Sequence, residues 1–308
     1  MRRISVKSVK AHIFILLVCF LAFCGAYGRC AEAFSGDATK WTVRQYGDGS
    51  RSVQSMFYTI YSNKGELAVI DGGWENDAPK VREVIKRYGN HVSAWIITHP
   101  HPDHVGALNA ILKNNSSGIR IDRIYTTPVN RKSYQRTVKP WDMIEEYDTF
   151  RHLTRKMKCV VYLEEDDEID LIGLNMKVLS SWDASVDRCY SANLCNYGSL
   201  MFKVQGKKKS MLFCGDIMKK RQNRIIRRHK KELKATYVQC SHHGNWGFSK
   251  KFYRYVKPSA AFFDSPAMIT EDASGHFDAM KLIRYFKKKG VKVYTFANGN
   301  GVHTVYLR

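Results

Sequence analysis

An apolar segment, Ser93–Ile97, runs without a break into Thr98-His99-Pro100-His101-Pro102-Asp103-His104. Four metal-ligating side chains within six residues, at the end of a strand, constrain this chain more than any other feature. Imidazole nitrogens and carboxylate oxygens are the donors that zinc and similar divalent cations take. A loop at a strand end can turn successive side chains toward one point, and Pro100 and Pro102 limit the entropy lost when it does so. The spacing predicts a helix over 103–113, with Asp103 placed to help cap it. Two more strand ends carry candidate ligands. Met211-Leu212-Phe213-Cys214-Gly215 leads to Asp216, and Tyr237-Val238-Gln239-Cys240-Ser241 leads to His242 and His243.

The rest of the chain is β-rich with interspersed helices. Alternating or short apolar runs predict strands over 41–46, 55–61, 67–70, 93–97, 120–125, 160–163, 168–171, 176–180, 200–204, 210–213, 237–239, 260–263, 291–296 and 302–307. Helices are expected over 77–88, 103–113, 141–157, 217–234, 250–256 and 276–289. Two strand-rich halves with outer helices indicate an α/β fold, an αββα sandwich. No Pro/Gly/Ser-rich linker or internal repeat interrupts residues 34–308, which read as one domain.

Residues 1–33 are set apart. Arg2, Arg3, Lys7 and Lys10 precede an uncharged run from Ile13 to Tyr27, the pattern of a signal peptide. The run is short for a membrane span. A membrane anchor is the alternative, and in either case the domain is expected to be exported, secreted or held on the outer face of the cytoplasmic membrane. The formal net charge is +22, only a small part of it in residues 1–33. That balance favours anionic partners, DNA or a cell-wall polymer such as teichoic acid. No obligate protein partner is evident, and transient membrane contact would run through the N-terminal segment. Cys189 and Cys195 are close enough in sequence to close a disulfide loop or to remain thiols. No CxxC pair exists, so no cysteine is read as a metal ligand.

The order His99-x-His101-x-Asp103-His104, then Asp216, then His243, resembles the metallo-β-lactamase superfamily over about residues 40–308. Asp71, before Gly72-Gly73, matches that family's early Asp, which holds a ligand from behind. Gly215-Asp216, Ser241-His242-His243-Gly244, and His276 before Gly299-Asn300-Gly301-Val302 are similar to the hydrolase domain of ComEC-type competence proteins. Bacterial phosphorylcholine esterases acting on teichoic acid have a similar site. The resemblance implies two divalent cations, zinc or else manganese. His99 and His101 would hold the first, Asp103, His104 and His243 the second, and Asp216 would bridge. The family's further His is missing: His152 lies in a predicted helix, and Asn196-Tyr197-Gly198-Ser199-Leu200 follows the ComEC-like form, leaving the first metal two His ligands, Asp216 and water. Asp103 would orient the attacking water. His242 or His276 would assist the leaving group. Asn196 and Ser199 would support the ligands, and Lys219, Lys220 and Trp246 would contact substrate. A long basic helix after Asp216 would guide a polyanion. The expected function is a metal-dependent phosphodiesterase or nuclease-like hydrolase. The alternatives are hydrolysis of a lactone, thioester or other ester, and a non-catalytic polyanion-binding protein.

Overall fold

The computed structural model describes residues 39–47, 53–190, 193–297 and 301–308. The expected signal segment 1–33 and the Asn300 position of the C-terminal motif lie outside them. Two seven-stranded sheets carry the fold. In spatial order the first comprises Val302–Leu307, Trp41–Tyr46, Phe57–Ser62, Leu67–Asp71, Ala94–Ile97, Ile124–Thr126 and Val160–Tyr162. The second comprises Lys292–Phe296, Ala260–Pro266, Tyr237–Gln239, Ser210–Phe213, Met201–Gln205, Leu174–Ser180 and Glu168–Leu171. A short parallel pair, His91–Val92 with Arg120–Ile121, lies apart from both.

Alternation within each strand builds the layers. Ala68, Ile70, Ala94 and Ile96 face Met176, Val178, Met211, Phe213 and Phe262 across the inter-sheet core. Their sequence neighbours point the other way. Leu67, Val69, Trp95 and Ile97 pack on Val81, Val84, Val105, Leu108 and Ile111 from the helices Ala78–Lys86 and Pro102–Lys113. Leu212, Val238, Ala261 and Phe263 pack on Ile225, Phe252, Val256, Leu282 and Phe286 from Gln222–His229, Lys250–Val256 and Ala279–Lys288. Each such side chain, fully buried, contributes about 1.5–3 kcal/mol relative to exposure. The period-2 pattern therefore specifies an α/β fold of two central sheets covered by helices, an αββα sandwich. Among the described residues no helix is long and apolar enough to cross a membrane.

Four expected elements differ from the structure. The helix expected over 141–157 is broken: Pro140–Asp142 forms a 3-10 turn, Met143 takes φ 45°, and the helix proper is Ile144–Thr154. The long basic helix over 217–234 is reduced to a 3-10 turn at Lys219–Arg221 and the helix Gln222–His229. It cannot start earlier because Met218 is extended (φ −77°, ψ 154°). His276 does not open a helix, which begins at Ala279. The strand expected over 120–125 divides into Arg120–Ile121 and Ile124–Thr126, because its halves pair with different strands.

Candidate metal centre

The candidate ligands stand at the carboxyl ends of parallel strands from both sheets, where open α/β sheets place their ligands. Ala94–Ile97 is parallel to its neighbours, and Thr98 and His99 follow directly. His101 is extended (φ −76°, ψ 155°) and occupies the position before the helix Pro102–Lys113, with Pro102 opening the first turn. This switch from extended to helical backbone lets side chains 99, 101, 103 and 104 converge. The helix has no side-chain cap. Asp103, expected to cap it, instead turns into the site, where its Oδ2 lies 3.2 Å from His243 Nε2 and accepts a hydrogen bond from Gln54 Nε2 at 3.3 Å. Gly106 lets the helix seat against the turn at Trp74, since a Cβ there would come within 2.5 Å of the Glu75 amide nitrogen.

From the second sheet, Ser210–Phe213 delivers Asp216 and Tyr237–Gln239 delivers the His242–His243 turn. Both histidines are left-handed (φ 55° and 56°), a costly conformation for non-glycine residues of the kind that clusters at functional sites. Gly244 completes the turn at φ 88°, with no room for a Cβ, which would meet the Phe263 ring at 2.0 Å. The sheets are tied here by hydrogen bonds from the Leu200 amide to the Thr98 carbonyl (2.7 Å) and from the Ser55 amide to the Asp264 carbonyl (3.3 Å).

The result is one buried cluster. His104 Nε2 lies 3.4 Å from Asp216 Oδ2 and 3.8 Å from Asp103 Oδ1. His243 Nε2 lies 3.1 Å from Asp216 Oδ2. Donor atoms of His99, His104 and Asp216 lie within 4.8 Å of one another, as do those of Asp103, His104 and His243. Of the two adjacent histidines, His243 enters the cluster. His242 stays 3.9 Å from Asp216, and its Nδ1 donates to the Asn245 carbonyl at 2.5 Å.

Behind His104, Asp71 is fully buried. Its Oδ2 accepts from His104 Nδ1 and Thr98 Oγ1, and its Oδ1 from the Thr98 amide, each at 2.7 Å. That contact fixes the imidazole with Nε2 toward the cluster, the arrangement a metal-binding His needs. Ser199 Oγ donates to the Asn196 carbonyl (2.9 Å) and accepts from the Asp216 amide (3.3 Å), so it positions the loop bearing Asp216.

Electrostatics follow the same geometry. Burial pushes the His99 imidazole well below its ordinary pKa, and the neighbouring His104 and His101 add to this. At His104 burial acts the same way, but Asp216, Asp103 and Asp71 outweigh it and raise the group well above the usual range. At His243 Asp216 and Asp103 likewise overcome burial, giving about 10. Burial alone would raise the Asp216 carboxyl, yet His243 and His104 hold it well below the usual range. A cation can replace the protons that these carboxylates retain on His104 and His243. His99 Nε2, His101 Nε2, Asp216 Oδ1 and Asn196 Oδ1 are buried without a hydrogen-bond partner, which native interiors rarely tolerate without an ion or water to meet them. The donor set, mixed imidazole and carboxylate, fits divalent cations.

Other expected contacts are redistributed. His276 is exposed and stacks edge-on to Trp246, 5.9 Å between ring centroids, away from the cluster. It sits on a turn in which the Phe277 amide bonds Asp272 Oδ2, not on a helix. Lys219 lines a groove with Trp246, Phe248, Lys250 and Arg254 on the far side of Trp246 from His242, and Lys220 is exposed. Three cations of the expected polyanion guide are engaged with carboxylates or the core. Arg221 bonds Ser180 Oγ, the Ser181 carbonyl and Asp183, while Arg224 and Arg228 pair with Asp183, Glu165 and Asp166. Trp74 donates its indole N–H to the Gln54 carbonyl at 2.7 Å, and Phe248 belongs to the outer core. Cys195 is a buried thiol, so no Cys189–Cys195 disulfide closes.

Sequence reasoning missed four buried residues. Asp264 accepts from Gln45, Tyr58 and Gln239 at 2.7–3.0 Å, beneath His243. Asp142 lies 3.4 Å from His101 Nε2, and Arg221 forms the core network above. Cys195, set aside for want of a CxxC partner, has its Sγ within 4.8 Å of ligand atoms of His99 and His101. Only tertiary packing brings these groups in; the available signal for Cys195 was its place next to Asn196.

Residues 49–177 match the family model of the metallo-beta-lactamase superfamily, a stretch that includes His99–His104 and ends before Asp216. The metallo-beta-lactamase fold protein YhfI from Bacillus subtilis is 10% identical, with a TM-score of 0.52 over 86% of this chain and 99% of that one. CmlA beta-hydroxylase, in its E377D mutant, is 12% identical, with a TM-score of 0.52 over 87% of this chain and 54% of the other. At such identities these likenesses show the fold alone. No curated protein sequence matches the chain. With the fold, the matched segment and the His/Asp clusters together, residues 49–177 carry a metallo-beta-lactamase superfamily domain, and the chain is a metal-dependent hydrolase.

Proposed function

We propose that the chain is an exported phosphodiesterase, nuclease-like in its choice of an anionic polymer such as DNA or teichoic acid, and of the ComEC type. One observation carries the substrate class. The groove that reaches His242 and Asn196 is rimmed by Arg136, Lys139, Trp141, Tyr190 and Trp246, and none of its described lining residues is acidic. Trp141, Tyr190 and Trp246 are 71%, 75% and 47% exposed, an unusual cluster of large rings left in water. Exposed rings beside cations serve single-stranded nucleic acid, bases stacking on rings and phosphates meeting charge. The Arg136 guanidinium lies 4.9 Å from the Tyr190 ring centre and orients that ring at the rim.

Divalent cations in this donor set would supply Lewis acidity and activate water near neutral pH. The protein's own groups define the rest. Asp71 fixes the His104 tautomer. Asp103, whose Oδ2 faces His243 Nε2 and accepts from Gln54, would orient the attacking water. Burial lowers the His242 pKa, and with Nδ1–H donated to Asn245 its Nε2 carries the lone pair. His242 therefore suits accepting a proton or hydrogen bond near Asp216.

The test is hydrolysis of bis(p-nitrophenyl) phosphate by the full chain with added Zn²⁺ or Mn²⁺, beside Asp216→Ala. Metal-dependent turnover lost in the variant supports the reading, and DNA follows as the first natural substrate. Bound metal without turnover overturns it in favour of a lactone, thioester or other ester. A correctly folded chain that binds no metal favours a polyanion-binding protein.

A further inference from the structure

We infer that Cys195 is a protein ligand of the first metal, completing with His99 and His101 a three-residue face in which a thiolate stands where the family's further His is missing. The inference rests on the metal-dependent reading above. Cys195 follows Leu194 in the short helix Leu194–Tyr197, whose N-terminus is capped by the Asn193 side chain. The helix docks through Leu194 and Cys195 into an apolar cap of Tyr134, Ile144, Tyr147, Trp182 and Val186. Docking delivers the Cys195 side chain, fully buried, to the two histidines, and one donor atom each of His99, His101 and Cys195 lies within 4.8 Å of the others.

Three separate observations point to an ion in that space. His99 Nε2 and His101 Nε2 are both buried and both without a hydrogen-bond partner. Asp216 Oδ1, the bridging candidate, is orphaned as well. The neighbouring carboxylate is already engaged: Asp142 accepts from the Lys139 amide at 2.6 Å through one oxygen and from the Asn193 side chain through the other. Its Oδ1 also lies at an ion-pair distance of 3.4 Å from His101 Nε2, which leaves that nitrogen without a hydrogen bond of good geometry. The thiol is thus the one soft donor facing two unsatisfied imidazoles. A buried thiol with no role would be apolar filling, but filling does not require a neighbourhood of orphaned nitrogens.

Binding at this face exchanges the thiol proton, released to solvent, for a metal–sulfur bond. A His₂Cys face prefers zinc over manganese, because thiolate is a soft ligand and manganese favours oxygen. The chain would thereby select zinc at the first site.

The test is zinc X-ray absorption on the full chain loaded with two equivalents of Zn²⁺, read beside metal content by mass spectrometry. The expected result is one sulfur scatterer per two zinc ions at about 2.3 Å, absent in Cys195→Ser, which keeps at most one tightly held equivalent. Should Cys195→Ser not fold, Cys195→Ala, which removes the polar atom from an apolar cap, is read in the same way. Two bound zinc ions with no sulfur neighbour in the wild type overturn the inference and leave the metal centre standing. A sulfur signal that survives in a folded Cys195 variant also overturns it, assigning the sulfur to another cysteine. A chain that binds no zinc at all overturns the underlying reading together with this one.

Discussion

Replacing Asp71 by Asn changes one buried atom and should silence, from behind, the metal ligand His104 that it holds. In the structure all three hydrogen bonds to Asp71 are accepted by the carboxylate, from the Thr98 amide, Thr98 Oγ1 and His104 Nδ1, each at 2.7 Å. An Asn of the same shape can keep its oxygen on the Thr98 amide. Its NH₂ then faces His104 Nδ1, which must accept, and the imidazole proton moves to Nε2. That nitrogen points at the cluster, 3.2 Å from His243 Nε2 and 3.4 Å from Asp216 Oδ2, so the lone pair needed for a metal is lost. Substitutions behind a metal-binding His typically lower metal affinity 10–100-fold, about 1.4–2.7 kcal/mol. The fold should suffer less, because Asn fills the same volume and Thr98 Oγ1 can turn to accept from the new amide. Calorimetric zinc titration of the full chain gives the affinity, and thermal melting of the metal-free protein separates folding from binding. Asp71→Asn that binds a second zinc ion as tightly as the wild type would falsify the assignment of Asp71 as the positioning residue for His104.

Gly244→Ala must place a Cβ 2.0 Å from the Phe263 ring at a backbone φ of 88°; overpacking of this kind costs about 1–3 kcal/mol, so denaturant melts should show a lower midpoint, and an unchanged midpoint would contradict the turn geometry. Burial opposes ionisation of Glu165, yet hydrogen bonds from His229, Arg224 and Arg228 hold its carboxyl down at about 2, below the ordinary 4.5. A lowered folded pKa gives stability that is present above 4.5 and lost as pH falls toward 2. Glu165→Gln should therefore melt lower than the wild type at pH 7, by about 1 kcal/mol once solvent screening of this partly exposed cluster is allowed for, and the gap should close between pH 4.5 and 2; a gap independent of pH would refute the ion-pair account. Trp246→Ala removes a ring that is half exposed at the groove rim; loss of one stacking contact of about 1–3 kcal/mol should raise KM for an oligonucleotide roughly tenfold and leave bis(p-nitrophenyl) phosphate turnover little changed.

Much of the site was readable because its donors sit in local sequence patterns. His99 to His104 occupy a single strand-to-helix junction, and Asp216, His242 and His243 follow apolar strands, so local pattern offered the candidates, and the family resemblance chose His243 over His242 and assigned the six as ligands. The inter-sheet core was readable for the same reason, since alternation along 67–70 and 210–213 fixes which face is buried. The failures lie where a side chain's partner is remote. Arg221 reads as one more cation on a basic helix, but its guanidinium is drawn inward by Ser180, Ser181 and Asp183, some forty residues earlier. His276 was placed on a helix by its apolar neighbours, whereas hydrogen bonds from the following turn to Asp272 keep the chain irregular up to Asp278. Cys195 has no CxxC partner and no nearby histidine in sequence, and only docking of its short helix sets it beside His99 and His101.

The central claim is that two divalent cations sit in one buried pocket shared by the two sheets. Anomalous diffraction at the zinc absorption edge, from crystals of the full chain grown with Zn²⁺, locates them without reference to activity. The account predicts two peaks, one among His99, His101 and Asp216 and one among Asp103, His104 and His243. A fully ordered cluster with no peak, or zinc bound only at surface histidines such as His91 and His276, would contradict it.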